Sequence, residues 1–138
     1  MNLKEQNNRN KRISKDIILF FDMDGTLIDT NLANFLSYNK AIVSVTESNK
    51  NLLYNPEIRL SRSNLKILIP DLSKSEYEKI IQKKEDYYND FIHETKLNTE
   101  IVDILFKYSE TNKTVLVTNC RKDRAKSTLK YFGLKNKF

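Results

Sequence analysis

The sequence predicts an α/β fold in which a small parallel sheet is interrupted by a helical insertion. Two short apolar runs, "DIILFF" at residues 16–21 and "TVLVT" at residues 114–118, are continuously hydrophobic, as strands buried on both faces are. Apolar residues recur at helical spacing between these runs and again after the second one. This order of predicted elements, a strand, helices, a second strand and a last helix, is typical of a layered domain with parallel strands.

The insertion is predicted to be entirely helical and to cover residues 31–96. Apolar positions follow one helical face from Asn31 to about Val45. Ser73 and Glu76 have the spacing of a capping box, which predicts that a longer helix begins there. Two shorter helices are predicted between these two, at residues 55–60 and 63–70.

The chain after the insertion predicts a helix, the second strand and a last helix. Asn98 can cap the first of these helices, and the last is expected to begin at Asn119 or Cys120 and to end just before Gly133. The predicted domains are a disordered basic arm at residues 1–15, a core formed by residues 16–30 and 97–138, and the helical insertion at residues 31–96.

The net charge of +6 is unevenly distributed along the chain. Residues 1–15 contribute +4 and residues 121–138 contribute +6, whereas residues 16–120 carry −4. Basic ends can bind nucleic acid, but these lack an RNP-like or helix-turn-helix signature, so we do not expect nucleic-acid binding. The one cysteine excludes an internal disulfide, and no apolar run is long enough to cross a bilayer. A cytoplasmic protein without membrane association is therefore predicted.

The stretch "FFDMDGTLIDT", residues 20–30, places acidic side chains where the first strand should end. Asp22 and Asp24 are two positions apart and are followed by Gly25, so their repulsion predicts a cation among them. Mg²⁺ suits such oxygen-rich surroundings, because it keeps several waters and bridges to phosphate. An aspartate at this place is a plausible nucleophile toward phosphorus. Thr118, at the end of the second strand, is expected at the same edge of the sheet, where ligands gather.

Asp22 to Leu27, "DMDGTL", after an apolar strand and before "IDT", resembles the first motif of the haloacid dehalogenase (HAD) superfamily. "VLVTNC", residues 115–120, is similar to the second motif of that superfamily. The resemblance covers residues 16–133 and implies a Rossmann-like parallel sheet, here an incomplete HAD core. It also implies that residues 31–96 are an inserted C1-type cap, which closes over the substrate and excludes water.

The resemblance implies a Mg²⁺-dependent phosphatase that acts on a small phosphorylated metabolite through an aspartyl-phosphate. Asp22 would be the nucleophile, and Asp24 would protonate the leaving oxygen and then deprotonate the attacking water. Mg²⁺ would be the cofactor, bound by Asp22 and by the carbonyl of Asp24. The residues implied to bind or orient the phosphate are Gly25, Thr26, Thr118 and Asn119.

Three other reactive side chains are given structural interpretations. Asp29 is expected to cap a helix rather than to bind metal. Cys120 follows Thr118 but has no histidine nearby in the sequence, so a packed thiol is favoured over a nucleophile. His93, the one histidine, is expected at the surface or in packing contacts.

The sequence ends at "GLKNKF", before the later lysine and acids of the superfamily's third and fourth motifs. We therefore expect the chain to be a fragment of a longer phosphatase, or a catalytically silent binding or regulatory module. A partner that supplies strands, or self-association through an exposed sheet edge, is a further expectation. Lys122, near the start of the last helix, is a candidate for the cation that would approach the phosphate in place of that later lysine.

Overall fold

The computed structural model describes residues 12–47 and 52–138, so most of the predicted arm at residues 1–15 lies outside the described residues. Four strands, five α-helices and two 3₁₀ helices occur in the described part of the chain. In chain order they are β1 (Leu19–Phe21), β2 (Ile28–Asp29), α1 (Asn31–Thr46), α2 (Arg62–Leu68), α3 (Lys74–Tyr87), a 3₁₀ helix (Tyr88–Glu94), β3 (Lys96–Leu97), α4 (Thr99–Ser109), β4 (Thr114–Leu116), α5 (Lys122–Tyr131) and a 3₁₀ helix (Lys135–Lys137).

The two predicted strands pair in parallel, which confirms the α/β fold class. Leu19 of β1 lies opposite Thr114 of β4, and Phe21 lies opposite Leu116. The ladder continues for one bond beyond β4, because the Val117 N–H donates to the Phe21 carbonyl at 2.8 Å. The carboxyl ends of both strands therefore lie at the same edge of the sheet.

A second, antiparallel pair holds the two connections to the insertion together. Ile28 of β2 lies opposite Leu97 of β3, and Asp29 lies opposite Lys96. The Asn98 N–H also donates to the Leu27 carbonyl at 2.8 Å. A strand of two residues is too short to show an alternation of apolar and polar residues, so the sequence did not predict this pair. The pair fixes where the helical insertion leaves and rejoins the core.

The buried apolar residues form two clusters, one in the core and one in the insertion. Met23, Leu27 and Ile28 belong to the core cluster together with side chains from α4 and α5. Phe35, Ile42 and Ile80 belong to the cluster formed by α1, α2 and α3. Each part of the chain thus buries apolar surface of its own.

The prediction that β1 is buried on both faces is wrong. Leu19 and Phe21 face the core cluster, but Phe20 points the other way and its exposed fraction is 68%. Val117, just after β4, is 54% exposed. In the described residues α4 and α5 pack on one face of the sheet, and the other face is open.

Most predicted helices are present, with shifted ends. The Ser73–Glu76 capping box begins α3 as predicted, and Ser61 and Asn64 form a second box at the start of α2. Residues 55–60 form no helix: the Asn55 carboxamide accepts a hydrogen bond from the Glu57 N–H at 3.0 Å, which favours a turn instead. The last helix begins later than expected, at Lys122. No helix among the described residues is both long and apolar enough to cross a membrane.

Candidate active site

A tight turn follows β1 and orients the two acidic side chains. Gly25 has a φ of +80°, a conformation that side-chain-bearing residues rarely adopt. Its N–H donates to the Ile28 carbonyl at 2.8 Å, and the Ile28 N–H donates to the Met23 carbonyl at 3.1 Å. Met23 is completely buried, so the neighbouring Asp22 and Asp24 project away from the core cluster. The glycine and the buried methionine together explain why this short segment can present two carboxylates.

Asp22 lies at the carboxyl end of β1 with an exposed side chain. Its Oδ2 accepts a hydrogen bond from the Thr26 hydroxyl at 3.3 Å. Thr118 follows β4 at the same edge, and its Oγ1 accepts from the Cys120 N–H at 3.2 Å. Asn119, beside it, is exposed. The parallel register therefore brings the predicted nucleophile and the predicted phosphate-binding residues to one edge of the sheet.

Asp24 is in a different situation, because both of its carboxylate oxygens have partners. Its Oδ1 accepts from the Thr30 hydroxyl at 2.6 Å and lies 3.6 Å from Nη2 of Arg59. Its Oδ2 accepts from Nη2 of Arg124 at 3.2 Å. Arg59 comes from the insertion and Arg124 from α5. Asp24 is thus the point at which the first motif, the insertion and the last helix meet.

Arg124 is almost completely buried, with a side chain that is 9% exposed. Its guanidinium lies over the ring of Tyr88, 5.0 Å from the ring centre, on the insertion side. Burial acts to lower the pKa of Arg124, but the carboxylates of Asp24 and Glu85 outweigh burial and raise this pKa. Burial likewise raises the pKa of Tyr88. Arg124 therefore remains a fixed positive charge behind Asp24.

Arg59 approaches the other carboxylate oxygen of Asp24, Oδ1, and is more open, with a side chain that is 36% exposed. Its Nη1 donates to the Thr30 hydroxyl at 3.1 Å and to the Asn31 side-chain oxygen at 2.8 Å. These two residues lie at the start of α1, where the chain enters the insertion. The contacts hold the Arg59 guanidinium at the boundary between insertion and core.

Sequence reasoning missed Arg59, Arg124 and Thr30, whereas Tyr88 was expected to be a packing residue and is buried. Arg124 lies six residues after Thr118, in the first turn of α5, so its place near the carboxyl end of β4 could have indicated that it lies close to the acidic loop. Arg59 lies in an irregular segment, so no periodic signal could have identified it. Lys122, the predicted substitute cation, is exposed, and Arg124 instead reaches Asp24.

The oxygen donors of the turn fit Mg²⁺ in part. The Asp22 carboxylate is exposed, and none of the backbone hydrogen bonds formed within the described turn uses the Asp24 carbonyl. The Asp24 carboxylate, in contrast, is engaged by the two arginines. The described residues contain no group of three or more His, Cys, Asp or Glu side chains placed to hold a metal. One carboxylate and one carbonyl are a donor set that Mg²⁺ accepts, since it retains several waters.

The remaining reactive side chains have structural contacts. Asp29 accepts a hydrogen bond from the Asn31 N–H at 3.0 Å, at the start of α1, although the cap residue itself is Thr30. Cys120 is partly buried and packs against the core cluster. His93 is exposed and lies 3.4 Å from the Glu94 carboxylate. Cys120 and His93 agree with the expectations of a packed thiol and a surface histidine, whereas Asp29 is not the cap residue of α1, which has no side-chain cap bond.

Residues 18–138 match the model of the haloacid dehalogenase-like hydrolases. The chain therefore belongs to this family, as the first motif predicted. It is 30% identical over 125 residues to a protein of Caldanaerobacter subterraneus that bears the provisional name pyrophosphatase PpaX. The match covers 87% of this chain and 54% of that protein, so the chain spans about half the length of this relative.

Solved structures of the family have the same fold. A predicted phosphoglycolate phosphatase from Haemophilus somnus has a TM-score of 0.72 at 19% identity, over 92% of this chain and 62% of that one. A HAD-superfamily hydrolase of subfamily IA from Geobacter sulfurreducens has a TM-score of 0.65 at 16% identity, over 90% of this chain and 60% of that one. At these identities the likeness establishes the fold, and the core described here is incomplete relative to both.

Proposed function

We propose that this chain carries the nucleophile half of a Mg²⁺-dependent phosphatase site, which acts on a small phosphorylated metabolite through Asp22. The observation that carries the proposal is the exposed Asp22 carboxylate at the carboxyl end of β1, level with the Thr118 end of β4. Family membership supports hydrolase chemistry, and the names of the relatives point to pyrophosphate and phosphoglycolate as types of substrate. The predicted cytoplasmic location suits such substrates.

In the first step a carboxylate oxygen of Asp22 attacks phosphorus. A bond forms between this oxygen and phosphorus, and the bond from phosphorus to the leaving oxygen breaks. Asp24, once its carboxylate has taken up a proton from solvent, gives this proton to the leaving oxygen. Thr118 and the backbone N–H groups that follow it donate hydrogen bonds to the phosphoryl oxygens. The product of this step is an aspartyl-phosphate on Asp22 and a free alcohol or phosphate.

In the second step water attacks the phosphorus of the aspartyl-phosphate. Asp24 accepts the proton of this water, the bond between phosphorus and Asp22 breaks, and inorganic phosphate leaves. Asp22 returns to its carboxylate form and Asp24 to its acid form, so the cycle closes. A bound Mg²⁺, held by the Asp22 carboxylate and the Asp24 carbonyl, would neutralise charge on the phosphate.

Asp24 can take part only if it exchanges one of its present partners for the substrate. Arg59 is the partner that is easiest to exchange, because its distance of 3.6 Å exceeds that of a hydrogen bond and its side chain is the more exposed. Arg124 is buried and bonded at 3.2 Å, so we expect it to stay and to hold the carboxylate in place.

The test is hydrolysis of p-nitrophenyl phosphate with and without Mg²⁺ by the wild-type chain, Asp22→Asn and Asp29→Asn. We expect Mg²⁺-dependent release of nitrophenol that Asp22→Asn abolishes, because an amide cannot act as the nucleophile. Asp29→Asn removes the same charge from an exposed position seven residues later and should retain wild-type activity. Turnover that persists in Asp22→Asn would contradict the mechanism.

The alternative is a binding or regulatory module without turnover. The observation that favours it is the engagement of both oxygens of the Asp24 carboxylate. This module would bind phosphate at the Asp22 edge but release no nitrophenol. The same assay, read together with phosphate binding by titration calorimetry, distinguishes the two.

A further inference from the structure

We infer that the cavity between the insertion and α5 binds a small α-amino acid in its zwitterionic form. The cavity has a volume of about 140 Å³. One wall comes from the end of α3 and the 3₁₀ helix that follows it, and the other comes from the start of α5 and the residue before it. Neither Asp22 nor Thr118 lines the cavity, so the inference is independent of the proposed phosphatase chemistry.

Two side chains of the cavity wall carry buried polar atoms that have no hydrogen-bond partner among the described residues. These atoms are the hydroxyl oxygen of Tyr88 and Nε of Arg124. Tyr88 is 1% exposed and the side chain of Arg124 is 9% exposed, while a different nitrogen of Arg124, Nη2, donates to Asp24. Buried polar groups in folded proteins have partners with few exceptions, so each exception calls for an explanation. A ligand oxygen bound in this cavity would give both groups an acceptor.

The Thr128 hydroxyl is near Tyr88 but does not satisfy it. Burial raises the pKa of Tyr88, and the nearby Thr128 hydroxyl acts to lower this pKa. The Thr128 hydroxyl donates its own hydrogen to the Arg124 carbonyl at 2.8 Å, and no hydrogen bond joins it to Tyr88. The Tyr88 hydroxyl therefore keeps its hydrogen for an acceptor that enters the cavity.

The cavity wall carries charges of both signs, and its arginines come from one side only. Five of the lining residues are charged: Glu85 and Asp86 on the insertion wall, and Arg121, Asp123 and Arg124 on the α5 wall. None of the ion pairs formed by the described residues uses Asp86, Arg121 or Asp123. The carboxylates would repel a lone anion, and the arginines would repel a lone cation. A zwitterion avoids both penalties when its ammonium group faces the insertion wall and its carboxylate faces Arg124 and Tyr88.

The size of the cavity limits the ligand to a small amino acid. A protein cavity of about 150 Å³ accommodates benzene, and glycine, alanine and serine are molecules of similar size. A metal ion is a poorer occupant, because the described residues contain no group of three or more His, Cys, Asp or Glu side chains placed to hold one. The volume and the two signs of charge together favour a ligand whose ammonium and carboxylate groups are attached to the same carbon.

Nuclear magnetic resonance of the ¹⁵N-labelled wild-type chain measures this binding and also locates it. We expect glycine, L-alanine and L-serine to shift the amide signals of residues 85–89 and 121–127, with a Kd below about 1 mM. Acetate carries only the negative charge, ethylamine carries only the positive charge, and glycerol is uncharged but of similar size. Each of these three probes should bind at least about tenfold more weakly than glycine, because each lacks one or both charged groups.

Two variants test the predicted contacts. Tyr88→Phe removes only the hydroxyl group that has no partner, so the chain should stay folded and bind glycine about fivefold more weakly. Asp86→Asn removes the charge of an exposed carboxylate on the insertion wall and should weaken glycine binding by a similar factor. The matched controls are Tyr108→Phe, which changes a buried tyrosine of α4, and Asp71→Asn, which changes an exposed aspartate that precedes α3. Both controls should bind glycine as wild type does.

The inference is overturned if none of the three amino acids shifts these signals with a Kd below about 1 mM, which would leave the cavity to water. It is also overturned if acetate, ethylamine or glycerol binds as tightly as glycine, or if the shifted signals lie at the carboxyl ends of β1 and β4 instead. Wild-type affinity in Tyr88→Phe or in Asp86→Asn, or an equal loss in their controls, would overturn it as well. Glycine binding by a chain that does not hydrolyse nitrophenyl phosphate would sustain this inference and defeat the proposed function. Turnover without glycine binding would do the opposite.

Discussion

At the scale of single residues, the two acids of the first motif have opposite environments. Asp22 is exposed, with one long hydrogen bond from Thr26, whereas Asp24 is 18% exposed and faces two guanidinium groups. An open carboxylate suits the nucleophile that we propose, and a carboxylate held by a buried arginine keeps one orientation. The difference follows from neighbours on other elements and not from the motif itself.

Arg124→Gln tests how strongly the buried pair stabilises the chain. We expect a loss of about 3 kcal/mol in the free energy of unfolding, because the variant leaves Asp24 partly buried without its main partner. Urea unfolding followed by circular dichroism measures this loss. Arg121→Gln, which removes an exposed arginine at the residue just before α5, should change stability by less than about 0.5 kcal/mol. Equal effects of the two substitutions would show that the pair with Asp24 is not the source of the stability.

At the scale of elements, α2 and α3 of the insertion begin where side chains replace missing backbone bonds, whereas α1 has no side-chain cap bond. The Ser73 hydroxyl accepts from the Glu76 N–H at 3.1 Å, and Glu76 Oε1 accepts from the Ser73 N–H at 3.1 Å. Such reciprocal bonds define a helix start from four residues alone. This is why the start of α3 could be predicted. The start of α5 has no side-chain cap bond, and its prediction was off by two or more residues.

The capping box gives α3 a pH-dependent contribution to stability. The hydrogen bonds from the backbone and then from the side chain of Ser73 lower the pKa of Glu76 below its ordinary value of 4.5. A carboxyl whose pKa is lowered by folding stabilises the fold above its unfolded pKa, and this stabilisation is lost as the pH falls through the folded pKa.

Glu76→Gln should therefore be less stable than wild type near neutral pH, and the difference should shrink as the medium is acidified below about pH 4. Thermal unfolding of both chains across this range measures the difference. If the difference in stability between the two chains stayed constant down to the lowest pH, the charge of Glu76 would not contribute to the cap.

At the scale of the whole molecule, the insertion and the core each have an apolar cluster and meet at few places. The β2–β3 pair joins them through the backbone, and the contacts of Arg59 with Asp24 and of Arg124 with Tyr88 join them through side chains. The chain spans 54% of the length of its curated relative and about 60% of the solved structures. In the described residues, one face of the two-stranded sheet carries no helix.

The open face should make the chain associate with itself, because Phe20 exposes 68% of its surface beside unpaired strand edges. We expect the sedimentation coefficient of the wild-type chain to rise with concentration, and Phe20→Ser to reduce that rise. Ile67→Ser removes a 78% exposed side chain from α2 in the insertion and serves as the control. A wild-type chain that stays monomeric over the range, or an equal effect of Ile67→Ser, would remove this expectation.

The sequence by itself determined the features that depend on neighbours along the chain. The motif around Asp22, the two apolar runs that form β1 and β4, and the capping box at Ser73 are local, since a few adjacent residues supply the turn, the apolar run or the hydrogen bonds. Tertiary structure alone decided that Arg59 and Arg124 converge on Asp24, that β2 pairs with β3, and that Phe20 faces outward. These contacts join residues 35 to 100 positions apart or depend on which face is covered, and no local spacing encodes either.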